Sequence, residues 1–276
     1  MNNDFDLIHT FEEINSEIVD LIAQKIQNST VAIYYQDINK EHKASQIKPE
    51  SIATGVLLKT LTSYYLITAA HTFNKNDHKD VYYLYKSRIR IPLIGRLGLY
   101  DPKDSKINDL IDVAFIKLEK VTIDLINKTG GIDFLSHKFI KENHNPINSK
   151  SYFTLGFPFK KEKGKKSIRQ FFSQPYLFNL NPSKLNSYNR PKVNSDLNIL
   201  MDFHRRKFKD FDTGLKLFAP KYLEGMSGSG LWFVPKFHMN SLEEPEVYLI
   251  GVFTEMKYKP DALMFTKIDC ITKFLN

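Results

Sequence analysis

Three side chains in this chain of 276 residues have the types that nucleophilic catalysis needs. Ser227 stands in "LEGMSGSGLWFV" (223 to 234), framed by Gly225, Gly228 and Gly230. Glycine serves wherever a backbone must take positive φ or pass close to another group, so three of them around one serine predict a demanding bend. A Ser/Gly turn between strands leaves the same pattern, and on this segment alone both readings stay open. A serine hydroxyl attacks only when a base takes its proton. The base works best when a buried carboxylate fixes its tautomer and stabilises its cation.

The base is sought among the eight histidines. His71, in "YYLITAAHTF" (64 to 73), follows an apolar run and two alanines, so the ring emerges at a strand end where a cleft can lie. The others sit in polar settings such as "NDHKD" and "KENHNP". A histidine after a strand serves structure just as readily, and only the small residues before it set this one apart. The acid is Asp112, in "LIDVAFIKLE" (110 to 119). A carboxylate between Ile111 and Val113 is costly to bury unless something pairs with it, and an imidazole N–H is such a partner. Asp109 and Asp101 stand in more polar surroundings. By its own segment, Asp112 reads equally as a strand-capping acid.

These residues need elements to hold them. Residues 5 to 27 place Leu7, Phe11, Ile14, Ile18, Ile22 and Ile26 three and four apart, which predicts an amphipathic helix packed on the body or on a partner. From Ser29 the pattern turns to short β-branched and aromatic runs between polar breaks. Strands are predicted at 30 to 35, 52 to 59, 64 to 68, 81 to 86, 88 to 94 and 112 to 118. A lysine- and asparagine-rich connection follows over about 120 to 150. A second set is predicted at 152 to 156, 168 to 178, 197 to 203, 229 to 234, 247 to 253 and 262 to 267, with a short closing helix in "IDCITKFLN". Two sets of about six strands with almost no βαβ alternation argue for antiparallel barrels or sandwiches. A parallel α/β hydrolase is disfavoured, because its nucleophile turn needs a helix after the serine, and "LWFV" before Pro235 reads as strand.

Composition is that of a soluble globular protein, at 42% hydrophobic and 25% charged. The first 25 residues carry six acids and no basic leader, so they do not read as a secretory signal, and no run reaches the ~18 apolar residues of a membrane span. The lone Cys270 precludes an intrachain disulfide and suits a reducing compartment, so a cytoplasmic location is expected. The net charge of +8 is unevenly placed, with 16 Lys and Arg against 4 Asp and Glu over residues 138 to 209. A segment of that kind can meet nucleic acid, acidic lipid or acidic protein. The stacking aromatics and motif spacing of a dedicated nucleic-acid binder are not evident. Neither nucleic acid nor a membrane is therefore the expected partner.

Taken together, "TAAH", "DVAFIKL" and "GMSGSG", in the order His, Asp, Ser, resemble the chymotrypsin-like (trypsin-like) serine peptidases. Subtilisin-like enzymes and α/β hydrolases arrange the same trio in other orders. "ATGVLLKT" (53 to 60), "FTLGFP" (153 to 158), "LIGVFTE" (249 to 255) and "LMFTKIDCITKFL" (263 to 275) are similar to further segments of that family, so the resemblance runs from about Ser29 to the end. It implies an all-β fold of two six-stranded antiparallel Greek-key barrels, with an N-terminal helix and a short C-terminal helix. The implied parts are a helical arm over 1–28, a barrel over 29–140 with His71 and Asp112, and a barrel over 141–276 with Ser227 and a basic insert.

The same resemblance implies roles. Ser227 is the nucleophile, His71 the general base and then acid, Asp112 the orienting carboxylate, and the N–H groups of Gly225 and Ser227 the oxyanion hole. No cofactor or metal is implied. Substrate-pocket positions fall on Lys221, Thr254, Glu255, Met256 and Leu263, which favours cleavage after an apolar or acidic residue. Secreted members carry an aspartate before the serine that pairs with a freed N-terminus. Here that position is Met226 and no "IVGG"-like stretch occurs near residue 29, so that activation route is not expected. The chain is most similar to the cytosolic bacterial type, which implies a protein substrate, a regulatory or defence-system partner and a setting in anti-phage defence. The alternatives are a catalytically silent binding module on the same fold and a housekeeping quality-control protease.

Overall fold

The computed structural model describes residues 17–37, 50–73, 80–86, 89–99, 111–146, 151–158, 175–203, 208–209, 216–217, 223–235, 244–257 and 261–275. A helix, α1, covers residues 17–29. Its stripe is apolar at the predicted spacing, and Ile22 and Ile26 are wholly buried. Each such side chain contributes about 1.5–3 kcal/mol when taken out of water. The helix therefore packs on its own body, in a cluster that draws Val56 and Leu58 from the first half of the chain and Leu155, Leu249 and Val252 from the second. The side chain of Thr30 donates to the carbonyl of Ile26 at 2.7 Å, where the helix hands over to the first strand.

The first sheet contains β1 (Thr30–Asp37), β2 (Glu50–Lys59), β3 (Tyr64–Thr68), β4 (Asp80–Lys86), β5 (Ile89–Pro92), β6 (Gly95–Leu99), β7 (Ala114–Leu118) and the two-residue β8 (Leu135–Ser136). Its order is β5-β4-β1-β2-β3-β7-β6, with β8 parallel to the end of β2. The outermost strands β5 and β6 are joined only by Leu93 and Ile94. Two linking residues span at most ~11 Å, so the sheet curls until its edges come together. Leu93 donates to Tyr82 on one side of this corner at 2.9 Å, and Glu119 donates to Ile94 on the other at 3.0 Å. The predicted strand at 88 to 94 is observed as β5, and β6, which was not predicted, continues the same wall around a corner near Pro92, whose ring removes a ladder donor. Counted that way the half-barrel has the expected six walls, although its ladder breaks at the corner.

The second sheet is a closed barrel of β9 (Tyr152–Gly156), β10 (Tyr176–Pro182), β11 (Asn198–Asp202), β14 (Gly230–Phe233), β15 (Tyr248–Lys257) and β16 (Ala262–Lys267), in the order β10-β11-β16-β15-β14-β9. All six pairings are antiparallel. Between β11 and β14 the chain passes through a small hairpin, β12 (Phe208–Lys209) with β13 (Lys216–Leu217), and re-enters the barrel three places away, on its opposite side. Closure leaves no exposed ladder edge. The interior is filled by Tyr152, Phe178, Phe203, Leu231, Phe265 and their neighbours. A ten-residue helix, α2 (Lys120–Thr129), interrupts the stretch read from sequence as a connection, and α3 (Asp269–Thr272) is the expected closing helix. Among the described residues no helix is long and apolar enough to cross a membrane. The "KKEKGKK" run at 160 to 166 lies outside the described residues.

Candidate active site

β3 is an apolar strand whose last four residues are fully buried, and it ends at Thr68. Ala69 stays extended, and Ala70, His71 and Thr72 turn out of the sheet in one 3-10 turn. Asp112, just before β7, holds this turn through three contacts. Its carbonyl accepts from the amide of Ala70 at 3.2 Å. Its Oδ1 accepts from the amide of His71 at 2.8 Å. Its Oδ2 meets the His71 ring at Nδ1. A carboxylate only accepts, so Nδ1 is the donor in this contact, and in the neutral ring that arrangement leaves the lone pair on Nε2. The pair is partly open to solvent, with 45% of the histidine side chain and 30% of the aspartate exposed.

The segment around Ser227 is built in the opposite way. Gly225, Met226, Gly228 and Ser229 are buried, and only Ser227 among them keeps intermediate exposure. Gly225 and Gly228 have φ of 92° and 90°, in the region that side chains rarely enter. Gly228 is also sterically closed, because a Cβ there would stand 2.0 Å from the carbonyl oxygen of Thr54 and 2.2 Å from Thr68 Oγ1. The amide of Met226 donates to Leu223, that of Gly228 to Phe253 at 2.8 Å, and that of Ser229 to Met226. Ser229 Oγ donates to the same Met226 carbonyl at 2.6 Å. Among the described residues no acceptor meets the amide of Gly225 or of Ser227. The Met226 side chain fills the interior of the closed barrel, so at the position where an acid was looked for the chain anchors its loop with an apolar plug.

One residue that sequence reasoning did not single out joins the two constructions. Thr54, in the middle of β2, donates its amide to the Ser227 carbonyl at 2.8 Å. Its hydroxyl donates to Gly225 O at 2.7 Å and accepts from the amide of Phe157 at 3.0 Å. Its carbonyl in turn accepts from Thr68 Oγ1 at 2.7 Å. The serine loop of the second sheet thus lies on β2, and Thr68, the last residue of the neighbouring β3 and three before His71, bonds the same threonine. The available signal was a threonine in the otherwise apolar "IATGVLL", which in a buried strand demands a hydrogen-bond partner.

The expected pocket positions divide. Leu263 has no exposed surface and belongs to the barrel interior. Thr254 is buried and donates to Met264 O at 3.3 Å. Met256 is half-buried, and Glu255 is exposed and paired with Lys257 at 2.6 Å. Accessible surface therefore comes from Glu255 and Met256, whereas the Leu263 side chain presents none to a ligand. Lys221 lies outside the described residues.

A closed six-stranded barrel beside a curled half-barrel, with the histidine turn on one and the serine bend leading into the other, is the chymotrypsin-like serine protease fold. Among solved structures the chain is similar to neuropsin, a serine protease expressed in the limbic system of mouse brain. The TM-score is 0.53 and the identity 14%, over 90% of this chain and 93% of that one. No family model and no curated protein sequence matches the chain.

Proposed function

We propose that the chain is a serine endopeptidase. The observation that carries this reading is the staple at Thr54, which seats the Ser227 loop on β2, next to the strand β3 that delivers a histidine already held by Asp112. In the reaction, Ser227 Oγ attacks the carbonyl carbon of the scissile peptide while His71 Nε2 takes its proton. Asp112 holds the ring and stabilises the cation so formed. The oxyanion accepts from the amides of Gly225 and Ser227, donors each worth about 10² to 10³ in rate. His71 then gives its proton to the departing amine. Water, deprotonated by the same nitrogen, splits the acyl-enzyme and restores the serine. Surface from Met256 favours substrates with an apolar residue before the cut, while the acidic preference read from the sequence rests on Lys221 alone.

A fluorophosphonate probe tests the reading directly. The wild type is expected to be labelled and Ser227→Ala to stay dark; labelling of both, or of neither, overturns it. The physiological setting that the sequence resemblance supports is a regulated bacterial protease of anti-phage defence, cutting a partner protein after a trigger. New protein N-termini in cells expressing wild type, absent with Ser227→Ala, are the expected sign. Identical N-terminal sets in the two strains would remove that setting.

A further inference from the structure

A groove of about 790 Å³ opens on the face away from the candidate active site, between the turn joining β2 and β3, the segment that follows β8, and α3. That turn is at the opposite end of β3 from His71, roughly 17 Å away along a five-residue strand. Leu61, Ile140 and Leu275 give the groove an aliphatic lining, and Leu61 at the tip of the turn is 87% exposed. A groove of this size takes two or three side chains of a ligand.

One lysine lines the groove, and three more stand beside its lining residues in sequence, each with its ammonium near a ring. Lys141 lines the groove, with its ammonium 4.9 Å from the Phe233 ring centre and 5.7 Å from that of Tyr248. Lys138 stands 4.8 Å over Phe139, Lys273 5.2 Å over Phe274, and Lys59 5.3 Å over Tyr64. These three flank the lining residues His137, Thr272 and Thr60 in sequence. Against them, Glu142 is the carboxylate in the lining, while that of Asp269 accepts the amide of Asn143 at 2.6 Å. A lysine seated on a ring is less free to sweep through solvent, so the positive rim is set before any ligand arrives.

We propose that this groove docks an acidic, extended segment of a partner protein, with apolar side chains seated on Leu61, Ile140 and Leu275 and carboxylates on the lysine rim. The aliphatic lining and the rings capped by lysines favour peptide over single-stranded nucleic acid, which needs open aromatic faces for its bases. The proposal stands apart from the reading of Ser227, because the groove shares no residue with that site.

Fluorescence anisotropy with the full Ser227→Ala chain tests it, that variant preventing cleavage of the probe. The probe is a labelled dodecapeptide of glutamates interrupted by leucines. The controls are the same peptide with lysines for glutamates, and an oligothymidylate. Binding of the acidic peptide is expected, weakened about tenfold by Lys138→Glu with Lys141→Glu, and separately by Leu61→Glu at the exposed turn. The lysine peptide should not bind and the oligothymidylate should not compete. No binding of the acidic peptide at about 1 mM, equal binding to wild-type and altered grooves, or equal binding of the lysine peptide would each overturn the proposal. Displacement by oligothymidylate, lost in the same variants, would overturn it in favour of nucleic acid.

Discussion

The half-barrel and the closed barrel meet at the candidate site with opposite constructions. The half-barrel offers its base on a short turn, partly open to water and pinned by one aspartate from just before β7. The closed barrel offers a loop in which Gly225, Met226, Gly228, Ser229 and Gly230 are all buried around the serine and most of the amides from Gly225 to Ser229 are already engaged. Positioning a nucleophile and two amides leaves little tolerance, since a 1 Å misplacement can cost ~10² in rate. On the proposed mechanism the imidazole instead exchanges protons with two different groups in one cycle, and an accessible ring suits that work. Chemistry and architecture are therefore separable on the histidine side and inseparable on the serine side.

Substitutions can break that contrast. Asp112→Asn keeps an oxygen for the His71 amide but loses the charge and the preferred ring tautomer. Probe labelling or peptide hydrolysis is expected to fall about 10⁴-fold, with the urea midpoint almost unchanged. A large loss of stability would show that the histidine turn is structural after all. Gly228→Ala is expected to cost about 3–5 kcal/mol in urea unfolding, because it combines strained φ with a clash against Thr54 and Thr68. Activity should vanish with it, whereas intact activity would mean that the loop has slack.

A smaller effect comes from His144, whose pKa is lowered to about 4 by burial first and by Lys141 next, with Lys267 adding to this and Asp269 opposing it. The unfolded chain takes up that proton near pH 6.5, and the folded one only near 4. Stability is thus full above about 6.5 and lost progressively as pH falls toward 4, by about 3 kcal/mol. His144→Gln should flatten the decline, and an unchanged pH profile would exclude this group as its source. The smallest expected change is Thr54→Val, which keeps the shape but strips partners from Gly225 O and the Phe157 amide. About 2 kcal/mol of destabilisation is expected. A disproportionate loss of probe labelling at temperatures where the variant stays folded would sharpen the assignment of Thr54 to the loop.

Much of this was legible locally. The strands bearing "YYLIT", "YFTLG" and "ALMFTK" declare themselves through β-branched and aromatic runs, and His71, Asp112 and Ser227 each stand in a setting that asks for explanation. The helix α2 was hidden because only Thr122 and Ile126 of its ten residues are buried, too thin a stripe in a lysine-rich stretch to outweigh its β-branched residues. β6, "GRLGL", has no β-branched residue and two glycines, and it is a strand because β7 pairs with it. The partner of Thr54 was unreadable for a different reason. Gly225 is 171 residues away, and no window on the sequence contains both.

That separation orders events during synthesis. The bonds that set the serine loop need Thr54 from early in the chain, and also Phe253, which donates to Ser229 and accepts from Gly228. Contacts of such sequence distance form late, after the entropy of closing the intervening loop has been met. A chain still emerging from the ribosome holds its serine long before that residue has a formed bend to sit in. On the reading of Ser227 as a nucleophile, the protein comes into being unarmed, and its final strands complete the weapon.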